Sequence, residues 1–276
     1  MEDTLKTNHA PGSNDARLFA GLDLLRIQFD SAVAHVRLDR PAKRNAINDA
    51  LVAQIATFFA NVPAHVGAVV LTGAGDHFCA GLDLSELAER SVAEGMMHSR
   101  AWHAAMDQLQ FGRVPVVAVL HGAVVGGGLE IASAAHIRIA EASAYYGLPE
   151  GQRGIFVGGG GSARVPRLAG VACMTDMMLT GRVLDAQEGQ QRGISHYVVP
   201  NGEGLAKGLE LARKIATNAP LSNFAVMQAL PRIADLSQPD GLFVESLMAA
   251  IAQGDAAAKQ CVHAFLEKRA GKVEKK

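Results

Sequence analysis

Cysteine, net charge and long apolar runs are all scarce in this chain. Only three cysteines, Cys79, Cys173 and Cys261, occur among 276 residues. They form no CxxC pair and cannot all be joined in disulfides, which suits a reducing cytoplasm better than a secreted, disulfide-stapled fold. The formal charge is −1, with lysine and arginine scattered and not gathered in a stripe, so no nucleic-acid partner is expected. No apolar run approaches the roughly 20 residues that a membrane-spanning helix needs, so no membrane partner is expected either. The opening MEDTLKTNHAPGSND is acidic and polar where a secretory or mitochondrial leader would be basic, and residues 1–20 are read as a flexible tail. Ten histidines stand without HExxH or a cysteine partner, and no metal site is expected. What the chain does have is 49% apolar residues, enough to fill the core of one large domain or of a core domain with a smaller appendage.

From residue 24 the pattern is strands alternating with helices. LLRIQFD and AVAHVRLD read as two short strands joined by a tight turn at residues 30–31, and a helix is expected over about 49–60. GAVVLTGAG and VPVVAVLHG read as buried strands, each running into a glycine turn. After the first, HFCAGLDLSEL is read as a loop that enters a helix. After the second, a short helix over about 128–135 leads to the strand HIRIA. Helical connections between strands imply crossovers, hence an α/β fold with a largely parallel sheet. Beyond residue 162 strands nearly vanish, HYVVP excepted, and three or four helices punctuated by Pro220, Pro231, Pro239 and Gly254 follow residue 202. The chain divides into a core over 21–200 and a helical region over 201–276, ending in the basic segment AGKVEKK.

The stretch HGAVVGGGLE places three glycines where a strand gives way to a helix. It matches neither GxGxxG nor GxxxxGK[ST], which excludes the usual nucleotide loops. Two uses remain open for Gly126, Gly127 and Gly128. They can form a tight turn, or they can let a substrate approach the unpaired amides at a helix start, where developing oxygen charge is stabilised. A second amide would come from HFCAGLDL, where Ala80 and Gly81 again leave the backbone bare; open α/β sheets place ligands at such strand ends. Two carboxylates lie near these loops along the chain. Glu130 in a first helical turn can be a simple dipole partner, and Glu150 after a proline can be a surface loop residue.

Together RPAKRNAIN, VVLTGAGDHFCAGLDLSEL, PVVAVLHGAVVGGGLEIA and YYGLPEGQRGIFVGGGGSARVPRLAG resemble the crotonase, or enoyl-CoA hydratase/isomerase, superfamily over about residues 24–270. The resemblance implies a spiral of ββα turns followed by trimerisation helices, in a homotrimer or dimer of trimers. It implies an acyl-CoA thioester substrate, with coenzyme A part of the substrate and no separate cofactor. It assigns the oxyanion hole to the amides of Leu82 and Gly127, water activation to Glu130 and α-proton delivery to Glu150. Lys43 and Arg44 are matched to the phosphates of coenzyme A. Ala46 and Ala80 would flank its adenine or pantetheine, and Gly81, Asp83 and Gly126 belong to the same binding loops.

Both glutamates of the hydratase pattern are present, whereas enoyl isomerases often keep only the second and dienoyl isomerases add an aspartate near the position of Gly158. No carboxylate stands between Gly151 and Leu168. Hydration of a 2-enoyl-CoA is therefore the reading. An isomerase or thioester hydrolase using the same oxyanion hole is the alternative, with a non-catalytic acyl-CoA binder behind it. His136 departs from the aspartate of most relatives and is read as structural; Phe156 and Val157 depart from a glycine-proline pattern and would reshape the acyl pocket. His98 and His103, flanking Trp102, would line that pocket.

Overall fold

The computed structural model describes residues 18–86 and 89–267. The segment AGKVEKK and residues 1–17 of the expected tail lie outside them. The tail ends earlier than expected, because Phe19 is already buried, its ring 5.3 Å from that of Phe58. An aromatic ring that removes this much apolar surface from water fixes the chain from that point onward.

Two sheets and the helices around them follow in chain order. Strands β1 (Leu25–Asp30) and β2 (Val33–Leu38) form the expected hairpin. Helix α1 (Asp49–Ala60) starts where the Asn48 side chain accepts from the Leu51 amide at 2.9 Å, and buries Leu51, Val52, Ile55, Phe58 and Phe59 along one face. Then come β3 (Ala68–Gly73), α2 (Val92–Gln110), β4 (Val116–Leu120), β5 (Ala123–Val125), α3 (Gly127–Ala134), β6 (Ile137–Glu141) and β7 (Tyr145–Gly147). Beyond these lie α4 (Gly161–Ala169), α5 (Val171–Thr180), β8 (Leu184–Asp185), α6 (Ala186–Gln191), β9 (Tyr197–Val199) and α7 (Gly204–Ala216).

The larger sheet has the order β1-β2-β3-β4-β6-β9 and is parallel apart from the first hairpin. Its central strands are buried on both faces, which is why VVAVL is apolar throughout and does not alternate. Val116, Ala118 and Leu120 face the main core, while Val117 and Val119 meet α7 on the other side. Helix α7 lies this close because Gly208 carries no side chain; a Cβ there would come within 2.7 Å of Val119 Cγ2. The expected division at residue 200 thus precedes a helix that covers the sheet.

The sequence pattern does not foretell a second sheet, β5-β7-β8. Its strands are two or three residues long, and isolated bridges Ile47↔Leu82 and Cys79↔Val124 extend its ladder. Each crossing of the large sheet is thereby followed by a short extended segment in the small one, which is the ββα turn that the resemblance implies. The turn at AGLD does not run straight into a helix: a single 3-10 turn, Leu84–Glu86, follows it, and α2 begins only at Val92, with Ser91 and Glu94 closing a capping box. Beyond α7 come α8 (Pro220–Phe224), a π-helical turn (Ala225–Ala229), α9 (Leu230–Asp235), α10 (Gln238–Gly254) and α11 (Ala256–Leu266).

Candidate active site

A cavity of about 400 Å³ opens where the two sheets, α2 and α3 meet, and Leu82, Gly127, Glu130 and Glu150 all line it. The two expected loops are brought together by backbone ladders. Cys79 donates to the Ala123 carbonyl at 2.9 Å, Val125 donates back to Cys79 at 3.1 Å, and the Ile47 amide donates to Gly81 at 2.8 Å. Gly81 takes φ 95°, and a Cβ there would lie 2.8 Å from the Val125 carbonyl oxygen, so a side chain is excluded on two counts. The same virtual Cβ is 3.7 Å from the Gly127 nitrogen, and one at Gly127 would be 3.8 Å from the Leu82 nitrogen. The Leu82 and Gly127 amides therefore stand side by side. Neither donates to any group among the described residues.

Only one of the two amides belongs to a helix start. Gly127 opens α3, whose first N–H groups have no intrahelical partner and whose dipole favours negative charge. Leu82 sits in a bridged loop, and its amide is oriented by the bonds on either side, including Asp83 N–H to the Ile47 carbonyl at 2.8 Å. The glycine triplet has a position-by-position reason. Side chains would press Glu150 Oε1 at Gly126 and Ile47 Cδ1 at Gly127, and would overlap the Cys79 carbonyl at Gly128.

The two carboxylates differ in surroundings. Glu130, 4% exposed, accepts at Oε1 from the amides of Gly159 and Gly161, both at 2.8 Å, and its Oε2 has no protein partner among the described residues. Burial raises its proton affinity, and these two amides oppose the rise by stabilising the anion. Glu150, 7% exposed, is no surface loop residue. Its Oε2 is buried without a partner, and burial together with the charge of Glu130 pushes its pKa up. One acid is held by donors and the other is left bare, a division suited to removing a proton at one point and supplying one at another.

The remaining candidates fall around this centre. Asp83 lines the cavity, but both of its oxygens are engaged, with Ser85 Oγ at 2.6 Å and Arg40 Nη2 at 3.0 Å; the Ser85 bond first, then Arg40, hold its pKa down to about 2. Its side chain therefore clamps the loop at the edge of the cavity. Lys43 Nζ reaches Ser85 Oγ at 3.1 Å from the exposed rim. Arg44 is exposed beside it, and its carbonyl accepts from the Ala80 amide at 3.0 Å. Ala46 is buried and Ala80 half-buried. His98 lines the cavity and reaches Asp49 Oδ1 at 2.6 Å, whereas His103 turns to Ser99 at 3.3 Å and is not among the lining residues. Phe156 and Val157 do line it. His136 is a half-buried strut, accepting from Val116 N–H and reaching the Gln110 carbonyl, with desolvation lowering its pKa to about 4. Among the described residues no group of three or more His, Cys, Asp or Glu is placed to hold a metal ion.

Sequence reasoning missed Gly159 and Gly161 as partners of Glu130, and Asp49 and Trp102 on the cavity wall, where Trp102 Nε1 donates to Asp49 at 3.1 Å. The run GGGG at 158–161 was the available signal for the first pair. Nothing in the spacing of Asp49 and Trp102, 53 residues apart, announced the second.

Comparison with known proteins gives a consistent result. The family model for enoyl-CoA hydratase/isomerase matches residues 28–276. The 2,3-dehydroadipyl-CoA hydratase of Escherichia coli (strain K12) is 34% identical over 234 residues, 84% of this chain and 91% of that one. The short-chain-enoyl-CoA hydratase of Clostridium acetobutylicum is 32% identical, over 88% of this chain and 94% of that one. A crystal structure of a candidate enoyl-CoA hydratase from Rhodopseudomonas palustris CGA009 superposes with a TM-score of 0.88 at 56% identity, covering 90% of this chain and 96% of that one.

Proposed function

The chain belongs to the enoyl-CoA hydratase/isomerase family and is an enoyl-CoA hydratase, and from that premise we propose how its own residues add water across the 2,3 double bond of a 2-enoyl-CoA thioester. The observation that carries the proposal is the convergence of two undonated amides and two unlike carboxylates on one cavity.

The thioester oxygen accepts from Leu82 N–H and Gly127 N–H. Their preorganised dipoles stabilise the enolate that forms when C3 is attacked, and loss of one such donor typically costs ~10²–10³ in rate. Glu130 is the base: its Oε1 is held by the Gly159 and Gly161 amides, and Oε2 takes a proton from the attacking water. The water oxygen bonds to C3. Glu150 is the acid: its buried carboxyl, whose Oε2 has no partner, favours the protonated form and gives its proton to C2. The proton taken from water by Glu130 balances the one Glu150 delivers, and exchange with solvent restores the pair. The chemistry calls for no metal or redox cofactor, and coenzyme A enters as part of the substrate.

Lys43 and Arg44, exposed at the rim, are suited to the phosphates of coenzyme A, with Ala46, Ala80, Gly81 and Gly126 as backbone walls of the binding loops. The three cysteines are unpaired, which supports a cytoplasmic location; no helix among the described residues is long and apolar enough to cross a membrane. A homotrimer or dimer of trimers is the assembly we propose. The test is loss of conjugated enoyl-thioester absorbance with crotonyl-CoA, coupled to product mass. Hydration adds one water to the intact thioester. A product of unchanged mass means isomerisation, and free coenzyme A means hydrolysis; either outcome rejects the proposal.

A further inference from the structure

The turn that holds Glu130 is itself suspended from α2. Arg164, 9% exposed, extends its guanidinium into the space between that turn and the helix. Its Nη1 donates to the Gly159 carbonyl at 3.2 Å, Nε to Gln110 Oε1 at 2.6 Å and Nη2 to Asp107 Oδ1 at 2.7 Å. Ser99 Oγ donates to the Gly158 carbonyl at 2.6 Å, from the same helix. The peptide that donates to Glu130 through Gly159 N–H therefore belongs to a residue whose own carbonyl is fixed by Arg164. A guanidinium forks rigidly and stays charged, so it both orients and polarises what it holds.

We propose that Arg164 is a positioning residue for hydration: its guanidinium locks the Gly159–Gly161 turn onto α2 so that two amides stay aimed at Glu130. The proposal rests on the reading of Glu130 as the base. The charged and titratable groups facing Glu130 are Glu150 across the cavity, His103 from α2 and Arg164 from α4, and Asp107 of α2 pairs with Arg164. Burial raises the proton affinity of Glu130, and Gly161, Gly159, His103 and Arg164 oppose it in that order. Asp107 is the counterion of Arg164 and half-exposed, so it mutes the charge that Glu130 feels. Removing Arg164 and removing the charge of Asp107 must then act on Glu130 with opposite signs.

The experiment is the pH profile of kcat/KM for the full chain and its Arg164→Met, Arg164→Lys and Asp107→Asn variants, with thermal unfolding alongside. In Arg164→Met the acid limb moves up, so that activity is lost on the acid side of the profile. In Asp107→Asn the acid limb moves down. Arg164→Lys keeps the limb near its original place and lowers kcat, because one ammonium cannot span three partners. A merely structural Arg164 would lower stability and leave the limbs in place. Acid limbs that stay fixed, or that move in the same direction in Arg164→Met and Asp107→Asn, overturn the proposal; if Arg164→Met does not fold, the direction in Asp107→Asn decides alone. Glu130→Gln separates the two levels: if it stays active, the base assignment fails, and if it is inactive while the limbs do not move, only the role of Arg164 fails.

Discussion

Glu150 carries a cost that its proposed role as the acid accounts for. A buried carboxyl oxygen without a partner is destabilising, and natural cores retain few of them. Its pKa is raised in the folded protein, first by burial and then by Glu130, so between the ordinary carboxylate value and the raised one the folded chain binds more protons than the unfolded chain. Stability from this group is greatest below the unfolded pKa and falls as pH rises through that window. Glu150→Gln removes the titration. Its kcat should drop by ~10²–10⁴ as a proton donor is lost, while its Tm at neutral pH should rise above that of the parent and lose this part of its pH slope. Activity assays and thermal unfolding across a pH series check both halves; a Tm that falls at neutral pH would show that the carboxyl has a partner in solution. The motifs of the sequence pointed to Glu130 and Glu150, and the fold brings both to one cavity. The sequence did not reveal how they differ, because the amides that hold Glu130 come from 29 and 31 residues along the chain.

At the level of elements, the glycine triplet that opens α3 separates two demands that one motif serves. A methyl at Gly127 meets the end of a flexible side chain, Ile47 Cδ1 at 2.8 Å, and sits between the two amides. A methyl at Gly128 meets the carbonyl of Cys79, which the second sheet holds in place through Val125. Gly127→Ala should therefore fold with a small loss of Tm and lose activity by about 10² or more. Gly128→Ala should lose about 1–3 kcal/mol of stability by overpacking. Denaturant unfolding and steady-state rates for the two proteins check the contrast, and equal stability losses would refute it. The large sheet and its helices were legible from apolar runs and the breaks between them, as at the start of α1. The small sheet was not, since a strand of two or three residues such as Leu184–Asp185 is too short to display a period. After Leu82, Asp83 spends its side chain on Ser85 and Arg40, which closes a turn within the loop that precedes α2.

At the scale of the whole molecule, the C-terminal helices were expected and four helical stretches follow residue 202, yet they leave apolar surface without cover. Helix α10 buries only Gly241, and Phe243, Leu247 and Ile251, spaced by four residues on one face, are 65%, 49% and 52% exposed. Phe224, Leu230 and Phe265 on neighbouring helices are also exposed. Isolated apolar residues on a surface are ordinary, but a stripe at helical spacing is the mark of a face that packs against something. In the homotrimer or dimer of trimers proposed above, further copies of this chain would be that partner, each supplying the same helices. Sedimentation or light scattering should then give three or six chain masses at micromolar concentration. Leu247→Asp places a charge in the middle of the stripe, where the assembled state would have to bury it without a partner, and burial of an unpaired charge costs several kcal/mol. That variant should fall to one chain mass and unfold at lower temperature, whereas on a solvated helix face the same change would leave both mass and Tm within error. A parent protein that runs as a single chain at these concentrations would rule the assembly out and leave the stripe to a different partner.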